Sequence, residues 1–207
     1  MTGLPTIVCP RRVFAGVKAD PHAEAWQGLP VEELRDAITG AGPKQATTVK
    51  AAWDGSELRV LFEITDEHIW ATQTQRDGPL WEEEVVEVFL DPVGDLEAYF
   101  EFEVNPLNTV LDLVARKNRS GYAKNFCWQC EGLRTAVRRH AGGWCAEWAF
   151  PFASMVPEPP VEGSRWRVNF CRIDRPPGVD RELTAWSPPG RGSFHTPERF
   201  GFLEFAA

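Results

Sequence analysis

The 207-residue sequence predicts an all-β fold, an antiparallel β-sandwich of the jelly-roll or immunoglobulin-like kind with long loops and at most short helices. Three observations carry this. Short segments alternate apolar and polar side chains with period two, turn residues recur between them, and no helical periodicity separates one such segment from the next. The 17 Pro and 17 Gly are spread along the whole chain rather than gathered in one linker, which suits many chain reversals within a single domain over residues 1–207.

The elements follow in order. Residues 31–38 hold one stretch of helical spacing, with Val31, Leu34 and Ile38 on a common face, enough for one or two turns. From Thr47 the period changes to two: Val49, Ala51 and Trp53 alternate with Thr48, Lys50 and Ala52, and Asp54-Gly55 supplies a hairpin turn. The return strand points Leu58, Val60, Phe62 and Ile64 inward and Arg59 and Glu63 outward. After a loop rich in Thr, Gln, Asp and Gly, residues 84–90 form a strand with Val86 and Val88 opposite Glu87, ended by Asp91-Pro92. Residues 98–105 put Phe100, Phe102 and Val104 on a core face and Tyr99, Glu101, Glu103 and Asn105 on the other. Further strands fall at 109–114, 133–138, 144–150, 166–170, 183–186 and 200–205, for nine or ten in all. Two of them carry Trp144, Ala146 and Trp148, and Trp166, Val168 and Phe170, bulky enough to fill the space between two sheets.

The formal charge is −8, without any Lys/Arg cluster to track a phosphate backbone, so nucleic acid is excluded as a partner class. No apolar run approaches the roughly 20 residues that span a bilayer, which argues against a membrane role. Residues 1–12 lack the apolar centre of a secretory leader, so the chain as written reads as cytoplasmic, and as extracellular if a leader has been trimmed from it. Cys9, Cys127, Cys130, Cys145 and Cys171 are odd in number in a chain large enough to build its own core, and no disulfide framework is expected. The Cys127/Cys130 spacing is shared by redox pairs and zinc half-sites, but no second Cys or His pair completes a tetrahedron, and the pair reads as structural.

Chemistry-bearing residues are few. Glycosidases need two carboxylates flanking a sugar bond, and the run Glu82, Glu83, Glu84 and Glu87 offers the residue type. Neighbours on a strand alternate faces, however, and the run reads more simply as a solvated edge with one or two acids at a ligand. None of His22, His68, His140 and His195 sits in a nucleophile motif, and phosphate loops and metalloprotease or EF-hand signatures are missing. What stands out is nine Trp and thirteen Phe, a surplus of which some must be exposed if the core is to close. Sugar rings stack their apolar C–H faces on aromatic planes, while carboxylates, amides and guanidinium groups fix their hydroxyls. Trp81, in a Gly-Pro-Leu-Trp-Glu loop, is the stacking candidate.

The stretch WEEEVVEVFLDP at 81–92, YFEFEVN at 99–105, GLRTAV at 132–137, WRVNF at 166–170, AWSP at 185–188 and FHTPERFG at 194–201 together resemble the carbohydrate-binding family 9 modules of bacterial xylan-degrading enzymes, from about Trp26 onward. The resemblance implies a β-sandwich that clamps a terminal glucose or xylose unit between two aromatic rings without cutting it. Trp81 falls on one clamp position, and Phe194 on the other, where family members can carry Trp. Glu87 and Asn105 match polar positions of the family site, whereas Glu103 stands where a member can have Arg and Arg191 where it can have Asn. The implied ligand is a mono- or oligosaccharide or a polysaccharide chain end, tied to xylan or cellulose breakdown, held by Trp81, Glu87, Glu103, Asn105, Arg191 and Phe194. No catalytic residue and no cofactor are expected; some members hold structural calcium, for which no ligand set is assignable here. Two other functions are weighed against this one. A glycoside hydrolase would use Glu87 and Glu103 facing each other roughly 5–9 Å apart across a cleft. A haem or redox sandwich would need an axial ligand such as Met155, His68 or His195.

Overall fold

The computed structural model describes residues 3–178 and 180–207. Its strands are β1 (Thr6–Cys9), β2 (Glu32–Glu33), β3 (Arg35–Asp36), β4 (Thr47–Trp53), β5 (Glu57–Thr65), β6 (Val85–Asp91), β7 (Ala98–Val104), β8 (Val110–Asn118), β9 (Gly121–Asn125), β10 (Arg134–His140), β11 (Gly143–Pro151), β12 (Arg165–Asp174), β13 (Glu182–Ala185) and β14 (Gly201–Phe205). The helical content among the described residues is four single 3-10 turns. One sheet runs β1-β14-β12-β6-β7-β8-β9, with β13 and β3 attached beside β12; the other runs β10-β11-β5-β4-β2. β12 is long enough to share one edge between two partners, β14 along 165–168 and β13 along 171–174. The sandwich expected from period-two alternation is therefore present, and β1, β2, β3 and β9 add to the strands read from sequence.

Alternation decides which side chains fill the space between the sheets. Val86, Val88, Leu90, Phe102 and Val104 from the larger sheet meet Val60, Phe62, Trp144, Trp148 and Phe150 from the smaller one in a single cluster. Phe62 packs edge-on against both Trp148 and Phe170, at 5.2 and 5.9 Å between ring centroids. The inward row of β12 continues past Phe170 to Arg172, which ties the two sheets together. Its guanidinium donates to Thr47 Oγ1 (3.2 Å) and to the Thr65 carbonyl (3.0 Å), and pairs with Asp66 (3.2 Å) and Asp174 (3.4 Å). Trp144 Nε1 also donates to Asp66 (3.2 Å). Glu84 completes this buried cluster, its carboxyl pushed up to about 8 by burial and by the neighbouring Asp66 and Asp174.

Residues 31–38 are a correction to the sequence reading: they form the edge strands β2 and β3, not a helical turn. Leu34 alone of the three apolar residues is buried, while Val31 and Ile38 are exposed. The reason is tertiary. β4 and β13 each present an open edge that this segment's backbone completes, and the Asp36 carboxylate ends it by accepting from the Ile38 and Thr39 amides.

Part of the outer face of each sheet is covered. On the smaller sheet, the outward-pointing Arg59 is only 1% exposed. It pairs with Glu57 and Glu147 and lies 4.3 Å from the Phe14 ring centroid, beneath a covering segment that includes Phe14 and Trp26. On the larger sheet, Leu80, Phe89, Tyr99, Leu111, Leu113, Phe194 and Phe200 form a second apolar layer over the strands.

Candidate functional site

The second layer over the larger sheet is incomplete above the middle of β6 and β7, and a cavity of about 240 Å³ opens there. Its floor is acidic. Glu87 and Glu103 are register partners on adjacent strands, and Glu101 stands two residues before Glu103 on the same face. Oxygens of the three carboxyls lie within 4.8 Å of one another, and all three residues are at least 97% buried. Cys171, opposite Glu87 on β12, supplies a thiol rather than a cation.

The walls come from loops and from β9. Trp81 sits on a 3-10 turn whose Leu80 is anchored in the outer apolar layer, with the Glu83 amide donating back to the Leu80 carbonyl (3.0 Å). Phe194, in the loop before β14, packs edge-on against Phe89 at 6.3 Å. The remaining lining includes Lys124, Ile173, Arg181, Leu183, Ser193 and His195. Lys124 Nζ lies 3.4 Å from Glu101 Oε2 and 5.8 Å from the Trp81 ring centroid. His195 Nδ1 is 2.9 Å from the Tyr99 hydroxyl and 3.7 Å from Glu101 Oε2.

Burial pushes the Glu87 and Glu103 carboxyls up, and the charges of neighbouring glutamates push them further. Both shifts favour the neutral acid, the form that can donate as well as accept. Burial lowers His195, so its imidazole is neutral there. Oε2 of Glu101 and Oε2 of Glu103 are shielded from water without a hydrogen-bond partner.

The structure brings four of the six sequence candidates, Trp81, Glu87, Glu103 and Phe194, into this one cavity. Asn105 lies outside its lining: the amide donates to the Gln73 carbonyl (2.8 Å) and accepts from the Leu107 and Thr109 amides, which fixes the turn after β7. Arg191 is exposed on the loop beside Gly192, the nearest lining residue. Lys124, Arg181 and His195 were not among the sequence candidates. Lys124 comes from a strand that lacks apolar alternation, and the other two from loops, so no periodic signal marked them.

The acidic run is also corrected. Glu83, Glu84 and Glu87 are buried, and only Glu82 keeps the solvated-edge character expected of the run. Glu83 holds the preceding loop by accepting from the Thr72 and Gln73 amides, Glu84 joins the Arg172 cluster, and Glu87 enters the cavity. For a glycosidase the carboxyls should stand on either side of a bound ring, about 5–5.5 Å apart or about 6.5–9.5 Å apart. Glu87 and Glu103 instead stand side by side on one floor, as register partners with one oxygen of each within 4.8 Å of the other.

Two carboxylate groups bear on the calcium expectation. In Asp66, Glu84 and Asp174 the cation is already the Arg172 guanidinium, so a metal would have to displace it. The cavity floor has Lys124 beside Glu101. Of the haem-ligand candidates, Met155 packs against the inter-sheet core and His195 is engaged with Tyr99. Cys127 is exposed and Cys130 buried, the latter with its amide donating to Asp112 and its thiol pushed up to about 12 by burial, consistent with a structural role.

A larger cavity, about 520 Å³, lies under the N-terminal segment on the other sheet. Its buried carboxylate, Glu147, already accepts from the Lys18 and Ala19 amides and from Arg59.

Comparison with known proteins bears on the fold and the family. An extracellular protein of Arthroderma benhamiae is 28% identical over 178 residues, covering 79% of this chain and 80% of that protein. Endo-1,4-beta-xylanase A of Thermotoga maritima is 27% identical over 187 residues, covering 87% of this chain but only 16% of the enzyme. Among solved structures, a Bacteroides uniformis protein superposes with a TM-score of 0.81 at 18% identity, covering 98% of this chain and 100% of that one. A carbohydrate binding module family 9 domain from Caldicellulosiruptor kristjanssonii, in complex with cellotriose, gives 0.75 at 16% identity, covering 98% and 94%. The model of the carbohydrate family 9 binding domain-like family matches residues 19–206, and the chain belongs to that family.

Proposed function

We propose that the cavity over β6 and β7 binds one sugar ring, at a chain end or as a free monosaccharide, and does not cleave it. The observation that carries this reading is the convergence of Trp81, Phe194, Glu87 and Glu103 on a single cavity. Its volume of about 240 Å³ lies below the roughly 300–1,000 Å³ of drug-sized sites, which suits one ring better than a length of chain. Trp81 offers a plane for the C–H face of the ring, while the carboxyls on the floor hydrogen-bond to its hydroxyls. Side-by-side carboxyls support binding over hydrolysis, because neither is placed to attack while the other protonates from across the ring. Membership of a carbohydrate-binding family and the cellotriose complex of a structural neighbour support the same ligand class. The xylanase relatives, of which this chain matches about a sixth, support a link to xylan or cellulose breakdown.

The test is calorimetric titration with glucose, xylose, cellobiose and xylobiose, repeated on Trp81→Ala. Losing the aromatic plane should weaken binding at least about tenfold. Saturable binding unaffected by Trp81→Ala would place the ligand elsewhere, and release of reducing sugar from a xylan or cellulose oligomer would overturn the non-catalytic reading.

A further inference from the structure

We propose that the ring preferred by this cavity carries a protonated amino group, as a hexosamine or the end unit of a deacetylated chitin-type chain does, and that the ammonium is held by Glu87 and Glu103. This rests on the sugar-binding reading and names its substrate class.

The floor has more acid than a neutral ring needs. The hydroxyls of glucose or xylose ask for a mixture of donors and acceptors, and amide side chains would supply both without a charge. Here three carboxyls are crowded within 4.8 Å. Glu101 has Lys124 beside it, whereas among the described residues no cationic side chain stands within ion-pair distance of Glu87 or Glu103. Oε2 of Glu103, on a residue 1% exposed, is the sharper sign. It lines the cavity and has no hydrogen-bond partner, so folding has buried an acceptor that a bound donor would satisfy. An ammonium brings three donors and a charge to such a floor, and charge-assisted hydrogen bonds are about twice as strong as neutral ones.

The chain itself shows that an ammonium is accommodated there. Lys124 Nζ lies 5.8 Å from the Trp81 ring centroid and 3.4 Å from the Glu101 carboxylate. An aromatic plane and a carboxylate near one another favour a cation, and the same Trp81 ring lines the cavity with Glu87 and Glu103.

Protonation gives the preference a signature. The groups facing Glu87 and Glu103 are Glu101 from their own sheet, Lys124 from β9, Cys171 from β12, Arg181 from the loop before β13, and His195 with Tyr99 from the closing loop and β7. Burial and the neighbouring glutamates shift both acids towards their neutral form, so an ammonium that pairs with their charged form favours proton release. Its affinity rises with pH until the amine itself deprotonates, whereas a neutral sugar that uses the protonated acids as donors gains nothing from the same change.

Calorimetric titration with glucosamine, N-acetylglucosamine and glucose across the neutral pH range, in two buffers of different ionisation heat, tests this. Expected are glucosamine binding about tenfold or more tighter than glucose near pH 7, proton release for glucosamine only, and loss of the advantage on N-acetylation. In Glu103→Gln, the ratio of glucosamine to glucose affinity should fall. Glucose binding as well as or better than glucosamine would overturn the amino-sugar assignment and leave the sugar-binding reading standing. Glucose binding that needs added calcium and is abolished by a chelator would also overturn it, since the floor would then bridge to the sugar through a metal. Failure of every sugar tested, monosaccharide and disaccharide, would overturn both.

Discussion

Replacing Arg172 with methionine keeps most of the side-chain volume while removing the one cation of the buried Asp66–Glu84–Asp174 cluster. The guanidinium is 2% exposed and sits 3.2 and 3.4 Å from two carboxylates, so the variant leaves acids buried without their partner. Breaking a buried pair in this way costs about 3–5 kcal/mol, within which fall the hydrogen bonds to Thr47 and Thr65. For a domain of this size each kcal/mol moves the midpoint by about 2–4 °C, so Tm should drop by about 6–20 °C. Urea unfolding at neutral pH measures the loss directly. A loss below about 1 kcal/mol would refute the view that this arginine neutralises the interior.

The same cluster predicts that Glu84→Gln flattens the decline in wild-type stability between pH 4.5 and about 8, the ordinary and folded values of that carboxyl, as followed by urea titration. Gly201→Ala would bring a Cβ to 2.4 Å from the Trp186 ring and 2.8 Å from the Pro5 carbonyl; a loss of about 1–3 kcal/mol is expected by chemical unfolding, with the fold retained. Of the five thiols, Cys127 is exposed and the other four are buried, so a disulfide reagent should titrate one thiol in the folded protein and four more only after unfolding.

The sandwich is legible in the sequence because its central strands alternate apolar and polar side chains, and the period of two sends the apolar set to the inter-sheet core. β4 and β7 are the clearest instances. Phe100, Phe102 and Val104 are packed towards the other sheet as their spacing requires, and the same alternation puts Glu101 and Glu103 on the opposite face. Two of the three floor carboxyls were thus readable as one face of one strand. The rest was not, because Lys124, Arg181 and His195 are brought together by register and loop closure, which leave no local period to read. Residues 31–38 misled for the opposite reason. A three- and four-residue apolar spacing was present, but the open edges of β4 and β13 decided the backbone conformation. Asn105 shares a face pattern with Glu103 yet lies at the strand end, where turn geometry claims its amide.

The alternation along β7 has an evolutionary corollary. Each floor residue of the cavity is covalently next to a residue of the inter-sheet core, Glu101 lying between Phe100 and Phe102 and Glu103 between Phe102 and Val104. An insertion or deletion in that stretch would exchange the two faces, so the floor can change only by substitution in place. Trp81, Arg181 and Phe194 stand on loops outside the strands, where length and composition vary at little expense to the sandwich. Descendants of this domain are thus expected to diversify their ligands by trading walls around a floor whose position is inherited with the fold.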